Sequence, residues 1–484
     1  MAVAAKTDPG RRSGQGSGSK RSSAGWLVLP WRDRMFTLSA AFLVVMAVLG
    51  GSQRPEVPTQ LVVRLIAIGV GAWALYGISE RDVRRVRPVL VWLGALAVLM
   101  LLQLVPLPPG LWTALSGRDR FLPLLELSKV ADVWRPLSLT PDMTINSLLA
   151  TLPAFATLLL LCRLPSHMAR SLLIPLLAVG AVAAVVGLLQ AASSGQYFYF
   201  YRITNLDSAV GFFANRNHQG FLLAAMLPAL AVLARGARRP GKRGPSQWIF
   251  LGIAIVLVPL VIITGSRGAL ALLVVGAMAA WLLFSVGRPR VETFNPRTRN
   301  LGLLALAAMG GVVVLAVTIS ARDFAVQRLF SEDVSQELRV VLFRPLLDIA
   351  FTYFPWGSGF GSFVDVFRVD EPLWNLNGSY LNHAHNELIE LAIEGGIPAL
   401  AILLGFMAWY VSVSVVAWRG NASDDRVIFA RLGSTIIGML MLASLADYPL
   451  RTPFMMVVFA LSSVWLAAVT QPAAGQLYRS NVSD

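Results

Sequence analysis

The chain has 484 residues, of which 56% are hydrophobic and only 14% are charged. Soluble proteins carry about 25% charged residues, so this composition excludes a soluble globular protein and indicates a membrane protein with many spans. The formal net charge of +15 does not predict nucleic-acid binding, because basic residues in membrane proteins usually orient the loops.

Residues 1–34 begin with a stretch rich in Gly, Ser, Lys and Arg that lacks the apolar core of a signal peptide. We expect these residues to form a disordered basic tail on the cytoplasmic side of the membrane. The single cysteine, Cys162, cannot form an intrachain disulfide and indicates little about the redox compartment.

Apolar runs of about 17–25 residues, the length that crosses the hydrocarbon core as a helix, recur along the rest of the chain. They predict an all-α polytopic membrane protein with about twelve transmembrane helices. The predicted spans lie near residues 35–52, 60–78, 88–106, 146–163, 169–191, 219–236, 247–265, 268–286, 301–320, 397–417, 429–447 and 451–471. We assign the N-terminal spans to 35–191, a second membrane domain to 192–471 and a C-terminal tail to 472–484.

Lysines and arginines are abundant in alternate loops and sparse in the others. The basic loops lie near residues 81–87, 163–170, 235–243, 288–299 and 419–431. By the positive-inside rule, both termini are predicted to be cytoplasmic, and two long loops, about 107–145 and 321–396, are predicted to face the periplasm or exterior. The apolar spacing in the second loop is typical of short interfacial helices.

Two of the four histidines and three carboxyl groups lie in the last part of that outer loop, where a polar segment leads into an apolar span. Ionisable groups at a bilayer boundary cost free energy unless they bind or react with something. Glu387, Glu390 and Glu394 are three and four residues apart, so they share one side of a short helix that ends at Gly395-Gly396. A solvated charged face is the plain interpretation of these residues, and orientation of a histidine is the sharper one.

With this topology, polar residues from five segments meet at the outer boundary. They are Asn215-Arg216-Asn217-His218, Ser266-Arg267, Arg339, His383 with His385, and Asp447 with Arg451. Because the guanidinium of Arg267 lies in a tight turn between two spans, it has little room to solvate freely and could hold a phosphate with its two-pronged fork. His383 and His385, two residues apart on a loop, are weak evidence for a metal site.

Each of these residues also has a plainer interpretation. Arg267 could extend to lipid headgroups, and Arg339 could bind anionic lipid or pair with a nearby acid. Arg216 and His218 could cap a helix, Asp447 and Arg451 could form a structural ion pair, and His383 could support its own loop.

Several motifs together resemble the bacterial O-antigen ligase and polymerase-like membrane proteins. The resemblance covers roughly residues 180–460. It rests on Gly211-Phe-Phe-Ala-Asn-Arg-Asn-His-Gln-Gly220, Gly265-Ser-Arg-Gly-Ala269, Arg339 followed by Phe354-Pro-Trp-Gly-Ser-Gly-Phe-Gly-Ser-Phe363, and His383-Ala-His-Asn-Glu-Leu-Ile-Glu-Leu-Ala-Ile-Glu-Gly-Gly396.

The resemblance implies a fold similar to that of C-type glycosyltransferases and a site in the outer leaflet of the cell inner membrane. It implies transfer of a glycan from a polyprenyl-diphosphate carrier to an acceptor hydroxyl, with inversion and without metal or nucleotide. Arg267 and Arg339 match the diphosphate-binding arginines, and His385 matches the essential histidine. Arg216, His218, His383, Glu387, Asp447 and Arg451 are candidate supporting residues.

The acceptor stays open: a second lipid-linked repeat for lipopolysaccharide or exopolysaccharide polymerisation, lipid A-core for O-antigen ligation, or a protein hydroxyl. Two further classes of function compete with glycan transfer. A transporter or flippase of lipid-linked glycan places charges near the bilayer midplane, whereas here, Arg64 apart, they cluster at one boundary. A receptor or scaffold would use the outer loop to bind partners.

Overall fold

The computed structural model describes residues 27–193, 196–206, 208–236, 246–285, 334–376 and 381–471, without the side chains of Arg81, 246–249 and 334–340. The predicted span near 301–320, the first part of the second outer loop, most of the N-terminal tail and the C-terminal tail lie outside these residues.

The described residues are mostly helical. The helices are α1 (Arg34–Leu49), α2 (Thr59–Leu75), α3 (Glu80–Gln103), α4 (Pro109–Thr113), α5 (Leu122–Leu127), α6 (Pro141–Ala150), α7 (Leu152–Arg163), α8 (Ser166–Ser171), α9 (Leu173–Ala192), α10 (Arg216–Gly236), α11 (Ser246–Ile263), α12 (Arg267–Ser285), α13 (Val334–Thr352), α14 (Phe363–Asp370), α15 (Glu387–Arg419), α16 (Asp425–Ser444) and α17 (Pro453–Ala467). Short 3-10 turns cover Asp119–Phe121, Leu373–Asn375, Pro449–Arg451 and Ala468–Thr470. Strands β1 (Pro106–Leu107) and β2 (Arg135–Pro136) pair antiparallel, with Pro106 opposite Pro136.

Eight helical stretches in the described residues are long and apolar enough to cross a membrane. They are Asp82–Gln103, Pro141–Arg163, Ser166–Ala192, Arg216–Gly236, Arg267–Ser285, Glu387–Arg419, Asp425–Ser444 and Pro453–Thr470. Three shorter apolar helices, Arg34–Leu49, Thr59–Leu75 and Phe250–Ile263, coincide with further predicted spans. The prediction of an all-α, multi-pass membrane protein is confirmed, and the count of twelve spans and the sidedness stay predictions.

Local side-chain chemistry sets where several helices begin. Ser79 and Asp82 form a reciprocal capping box at the start of α3. At α15, the Asn386 side chain accepts hydrogen bonds from the Leu388 and Ile389 amides at 3.0 and 3.1 Å, which satisfies two of the first-turn N–H groups. This cap fixes the residue at which the histidine loop becomes helix.

Close helix packing places the turn between α11 and α12 beside the first turns of α10. A Cβ on Gly220 would lie 2.4 Å from the Ala269 Cβ, and one on Gly276 would lie 2.7 Å from the Ala224 carbonyl oxygen. Small residues at such crossings let membrane helices approach closely. The Ser266 hydroxyl accepts from the Ala269 amide at 3.1 Å and caps α12, so Arg267 is held at a defined helix start.

A separate hydrophobic cluster surrounds the histidine loop. It packs α13, α14 and the first turns of α15 around the histidine loop, and its buried members are Leu342, Leu346, Ile349, Tyr353, Phe363, Val366, Phe367, Ala384, Ile389 and Ile393. The second outer loop is therefore more helical than the sequence predicts, since α13 alone has 19 residues. α15 already begins at Glu387, ahead of the predicted loop end at residue 396.

Candidate functional site

The glycine-rich segment 356–362 forms a tight turn. Gly357, Gly359 and Gly361 all have positive φ, at 81°, 107° and 82°, a region that glycine enters without steric cost. The Gly359 amide donates to the Glu394 carbonyl oxygen at 2.9 Å, and the Gly361 amide donates to the Glu394 Oε1 at 2.9 Å. The turn therefore holds both the backbone and the side chain of Glu394.

The helix that carries the three glutamates breaks at the residue the sequence indicates. Gly396 has φ 58° and ψ −150° inside α15, and the Ile397 amide donates to the Pro355 carbonyl oxygen at 2.8 Å. A Cβ at Gly396 would lie 2.1 Å from that oxygen. The kink separates a short helix bearing Glu387, Glu390 and Glu394 from the membrane-spanning part.

Arg118 fastens the first outer loop to this turn, a contact that the sequence does not predict. Its side chain is fully buried and donates to the carbonyl oxygens of Leu137 at 2.6 Å and Gly357 at 3.1 Å. Its guanidinium lies 5.4 Å from the ring centroid of Tyr353. Burial lowers the pKa of Arg118 to about 10, since desolvation disfavours the charged form. No motif around Arg118 distinguishes it from a solvated loop arginine.

Glu390 connects the first histidine of the loop to Arg451. Its Oε1 lies 2.7 Å from the Nδ1 of His383 and 3.2 Å from the Nη2 of Arg451, while its Oε2 accepts from the Ala384 amide at 2.9 Å. Glu390 and Glu394 are 1% and 0% exposed. The interpretation of these two carboxyl groups as a solvated face is therefore wrong.

Arg451 lies among carboxyl groups. Its Nη2 also bonds Glu394 Oε2 at 2.9 Å, so the guanidinium bridges Glu390 and Glu394. Burial lowers the pKa of Arg451, but the charges of Glu394 and Glu390 raise it by more, so the net pKa is above the usual value. Glu387 completes the group by accepting a hydrogen bond from the Leu450 amide at 2.9 Å. We call His383, Glu387, Glu390, Glu394 and Arg451 the acidic side of the site.

Asp447, which is 1% exposed, lies where three segments meet. Its carboxylate accepts hydrogen bonds from the side-chain amides of Asn215, at 3.4 Å, and Asn217, and from the Tyr448 amide at 2.9 Å. The Nδ1 of His385 lies 3.6 Å from its Oδ1. The structure therefore places the predicted essential histidine beside a buried carboxylate.

The ring of Tyr448 contacts three histidines. The ring centroids of His383, His385 and His218 lie 4.3, 5.0 and 5.4 Å from its own. His385 adopts φ 51°, a left-handed conformation that is uncommon for residues other than glycine and that concentrates at functional sites. The sequence motifs do not indicate Tyr448, although an aromatic residue between Asp447 and Pro449, in a short turn between two apolar helices, is a usable signal.

His218 is buried beneath this cluster. Its Nδ1 lies 3.0 Å from the Thr452 hydroxyl, and its Nε2 lies 3.9 Å from Asp447 Oδ1. Because its side chain is 0% exposed, His218 supports Asp447 and Tyr448 from below and cannot meet a substrate directly.

Two candidate arginines, Arg216 and Arg267, lie in the first turns of α10 and α12. Gly265, with φ 64°, would place a Cβ 3.9 Å from Arg216 Nη1, so the guanidinium of Arg216 lies against the turn that leads into Arg267. We call Arg216, Ser266 and Arg267 the arginine side. The side chain of Arg339 is outside the described residues, although its backbone lies in α13.

A large cavity of about 1300 Å³ opens onto the acidic side. We call the part lined by Gln53, Asn382, His383, Glu390, Glu394 and Arg451 its polar end, and the ion-paired residues Arg54, Glu56, Asp365 and Arg368 also line the cavity. Its apolar walls come from α3, α7, α12, α15 and α16, and they extend as far as Trp418 at the other end of α15. The apolar walls follow the membrane-spanning part of α15, so the cavity connects the polar cluster with the depth of the bilayer region.

Part of the chain that forms this site matches a known protein family. Residues 252–404 match the family model described as O-antigen ligase. The chain contains an O-antigen ligase-like domain. The matched segment includes Arg267, Arg339 and the histidine loop, whereas Arg216, His218 and the Asp447–Arg451 turn lie outside it. No curated protein matches the chain.

Within and around this O-antigen ligase-like domain, the structure brings seven candidate residues together, and the eighth whose side chain it describes, Arg267, follows the turn that lies beside the Arg216 guanidinium. His383, His385, His218, Glu387, Asp447 and Arg451 form one connected cluster, and Arg216 lies on the helix turn next to it. Among the described residues, no three His, Cys, Asp or Glu side chains are arranged to hold a metal ion; metal independence stays a prediction.

Proposed function

We propose that this protein transfers a glycan from a polyprenyl-diphosphate carrier to an acceptor hydroxyl at the outer face of the cytoplasmic membrane. The observation that carries the proposal is the convergence of the histidine loop, the 215–218 segment and the 447–451 turn, beside a cavity that follows membrane helices and is lined by His383 and Arg451. The O-antigen ligase-like match supports the same class of glycan transfer.

The leaving group of this reaction is a diphosphate, which gains negative charge as its bond to the anomeric carbon breaks. Guanidinium groups held at fixed positions stabilise such charge, and this kind of electrostatic stabilisation is usually a large part of catalysis. Arg267 at the capped start of α12 is our proposed diphosphate ligand, with Arg216 beside its turn. Arg339 is a third proposed diphosphate ligand, because it matches a diphosphate-binding arginine of the family that the sequence resembles.

A histidine then receives the proton of the acceptor hydroxyl. His385 is the proposed base because it matches the family's essential histidine and because Asp447 lies 3.6 Å from its Nδ1. A carboxylate at that position orients an imidazole and stabilises its protonated form. The acceptor oxygen bonds to the anomeric carbon, the bond between that carbon and the diphosphate oxygen breaks, and the acceptor proton goes to His385. This single displacement inverts the anomeric centre.

The proposed orientation has both termini in the cytoplasm and the cluster on the periplasmic or exterior face. Polymerisation of lipid-linked repeats, ligation to lipid A-core and transfer to a protein hydroxyl all use this chemistry. The proposal therefore covers O-antigen ligation and surface-polysaccharide polymerisation, and glycan profiling of a deletion strain separates the two. Single-repeat species indicate a lost polymerase, and lipid A-core without attached chains indicates a lost ligase.

The direct test is complementation of that deletion strain with single variants. We expect His385→Ala and Arg267→Ala to reach the membrane at wild-type levels and to restore no glycan product on gels. His167→Ala, at a histidine on α8 away from the site, and Arg419→Ala, at an arginine at the far end of α15, are matched controls that should restore the full product. Wild-type product from the His385 variant eliminates its role as the base.

A further inference from the structure

The polar end of the cavity differs chemically from a diphosphate site. Glu387, Glu390 and Glu394 lie there around the guanidinium of Arg451, and the two other arginines of the cavity lining, Arg54 and Arg368, are paired with Glu56 and Asp365. The five carboxyl groups of the lining outnumber its three guanidinium groups, and placing a further anion beside the three glutamates carries an electrostatic cost. This end of the cavity therefore disfavours the carrier's diphosphate.

His383 is held so that one of its ring nitrogens can accept a hydrogen bond from a ligand in the cavity. The Nδ1 lies 2.7 Å from Glu390 Oε1, and an ionised carboxylate only accepts hydrogen bonds, so Nδ1–H is the donor. In the neutral ring the Nε2 is then an acceptor. The side chain is 16% exposed and lines the cavity. Glu390 is itself fixed by the Ala384 amide and by Arg451.

A second acceptor lies in the same lining. The Oε1 of Gln53 is buried and has no hydrogen-bond partner among the described residues, and Gln53 lines the cavity. A buried acceptor without a donor costs free energy unless a ligand supplies the donor. The Oε1 of Gln53, the Nε2 of His383 and the carboxyl oxygens together call for a ligand rich in O–H groups.

We infer that the polar end of the cavity is the acceptor subsite and that it selects an uncharged, hydroxyl-rich sugar. His383 binds a hydroxyl of that sugar through Nε2, and Glu390 is a positioning residue that holds the imidazole. The inference rests on the proposed glycan transfer and narrows its acceptor: phosphorylated acceptors bind poorly beside the three carboxyl groups.

The test measures acceptor kinetics with the full chain in lipid nanodiscs. The donor probe is polyprenyl-diphosphate-linked repeat extracted from native membranes, held at saturation. The acceptor probes are one unphosphorylated oligosaccharide and its singly phosphorylated derivative. We expect the unphosphorylated probe to have a kcat/KM at least about tenfold higher, because like charges in a partly desolvated site repel strongly.

Two variants separate binding from folding. His383→Asn keeps an amide N–H that can replace Nδ1–H toward Glu390 but removes the Nε2 acceptor, so we expect the acceptor KM to rise about fivefold or more with the donor KM unchanged. Glu390→Gln should lower the ratio of kcat/KM for the unphosphorylated probe to that for the phosphorylated probe. Glu80→Gln, at a glutamate whose side chain is 92% exposed, is the control and should change neither the acceptor KM nor the preference for the unphosphorylated probe.

The outcomes distinguish the two proposals. Equal use of both acceptor probes by an active wild type overturns the acceptor subsite and leaves the transfer reaction standing. A His383→Asn variant that raises the donor KM, and not the acceptor KM, also overturns it. A wild type that consumes no donor with either probe overturns the proposed function, and the subsite with it.

Discussion

The two sides of the site are built from different chemistry within one small cluster. On the arginine side, Arg216 and Arg267 belong to helix starts held by close glycine and alanine packing. On the acidic side, Glu390 and Glu394 are buried around one guanidinium. A glycosyl transfer develops negative charge at the diphosphate and positive charge at the anomeric carbon, so a site divided in this way matches the charge separation of the reaction we propose.

Asp447 and Tyr448 lie between the two sides. Asp447 accepts hydrogen bonds from Asn215, which precedes α10, and from Asn217 in its first turn. Tyr448 contacts histidines from both the loop and α10. The cavity and the arginines are therefore separate subsites that meet at His385 and Asp447, and substitutions in each should have different effects.

The largest effect should come from His385, at the boundary. We expect His385→Ala to lower the turnover about 10²–10⁴-fold, the usual contribution of a general base. Initial rates with extracted donor, measured beside His167→Ala, check this. A turnover within twofold of the wild type would show that His385 is not the general base. The two sides of the site would then share no catalytic residue.

Removal of the single guanidinium should destabilise the acidic side. In Arg451→Met, two buried carboxyl groups lose their shared partner, and we expect a loss of about 3–5 kcal/mol in stability, as when one member of a buried ion pair is deleted. Thermal unfolding of the purified protein measures it. Arg419→Met is the matched control, and an unchanged unfolding temperature in Arg451→Met would show that the buried network does not stabilise the fold.

A smaller effect is expected on the arginine side, where the change affects catalysis more than folding. We expect Arg267→Ala to lower the turnover about 10²–10³-fold by removing one donor to the leaving group. Arg267→Lys should recover only part of it, because an ammonium cannot reproduce the guanidinium fork. Turnover and unfolding temperature are measured on the same preparations, and full activity in the alanine variant would contradict the assignment.

The smallest effect should follow from Arg118, which lies behind the acidic side. Arg118→Met leaves the carbonyl oxygens of Leu137 and Gly357 without their donor, at an expected cost of about 1–3 kcal/mol. Hydrogen exchange of the 107–140 loop and the glycine-rich turn should increase together. An increase in only one of them would show that Arg118 does not couple the loop to the turn.

Much of the fold follows from local sequence properties. Apolar run length predicted an all-α protein with many membrane helices, and Gly395-Gly396 predicted the end of the short helix, where the structure has the kink. The spacing of Glu387, Glu390 and Glu394 correctly placed them on one short helix, because helical periodicity is a property of the segment itself.

Further features depend on long-range contacts that no segment encodes. The burial of Glu390 and Glu394 follows from Arg451, about sixty residues later, and from the glycine-rich turn before them. The role of Arg118 depends on Gly357. The loop also presents His383 and His385 to different carboxylates, and this follows from the left-handed conformation at His385, which the alternation of two histidines does not predict.

The central claim is that the carrier's diphosphate binds on the arginine side and not at the polar end of the cavity. A cryo-EM structure of the full chain in nanodiscs with polyprenyl diphosphate, carrying no sugar, tests it most directly. We expect phosphate density within hydrogen-bond distance of the guanidinium groups of Arg267 and Arg216. Phosphate density against Arg451 and His383, among the three glutamates, would contradict the account.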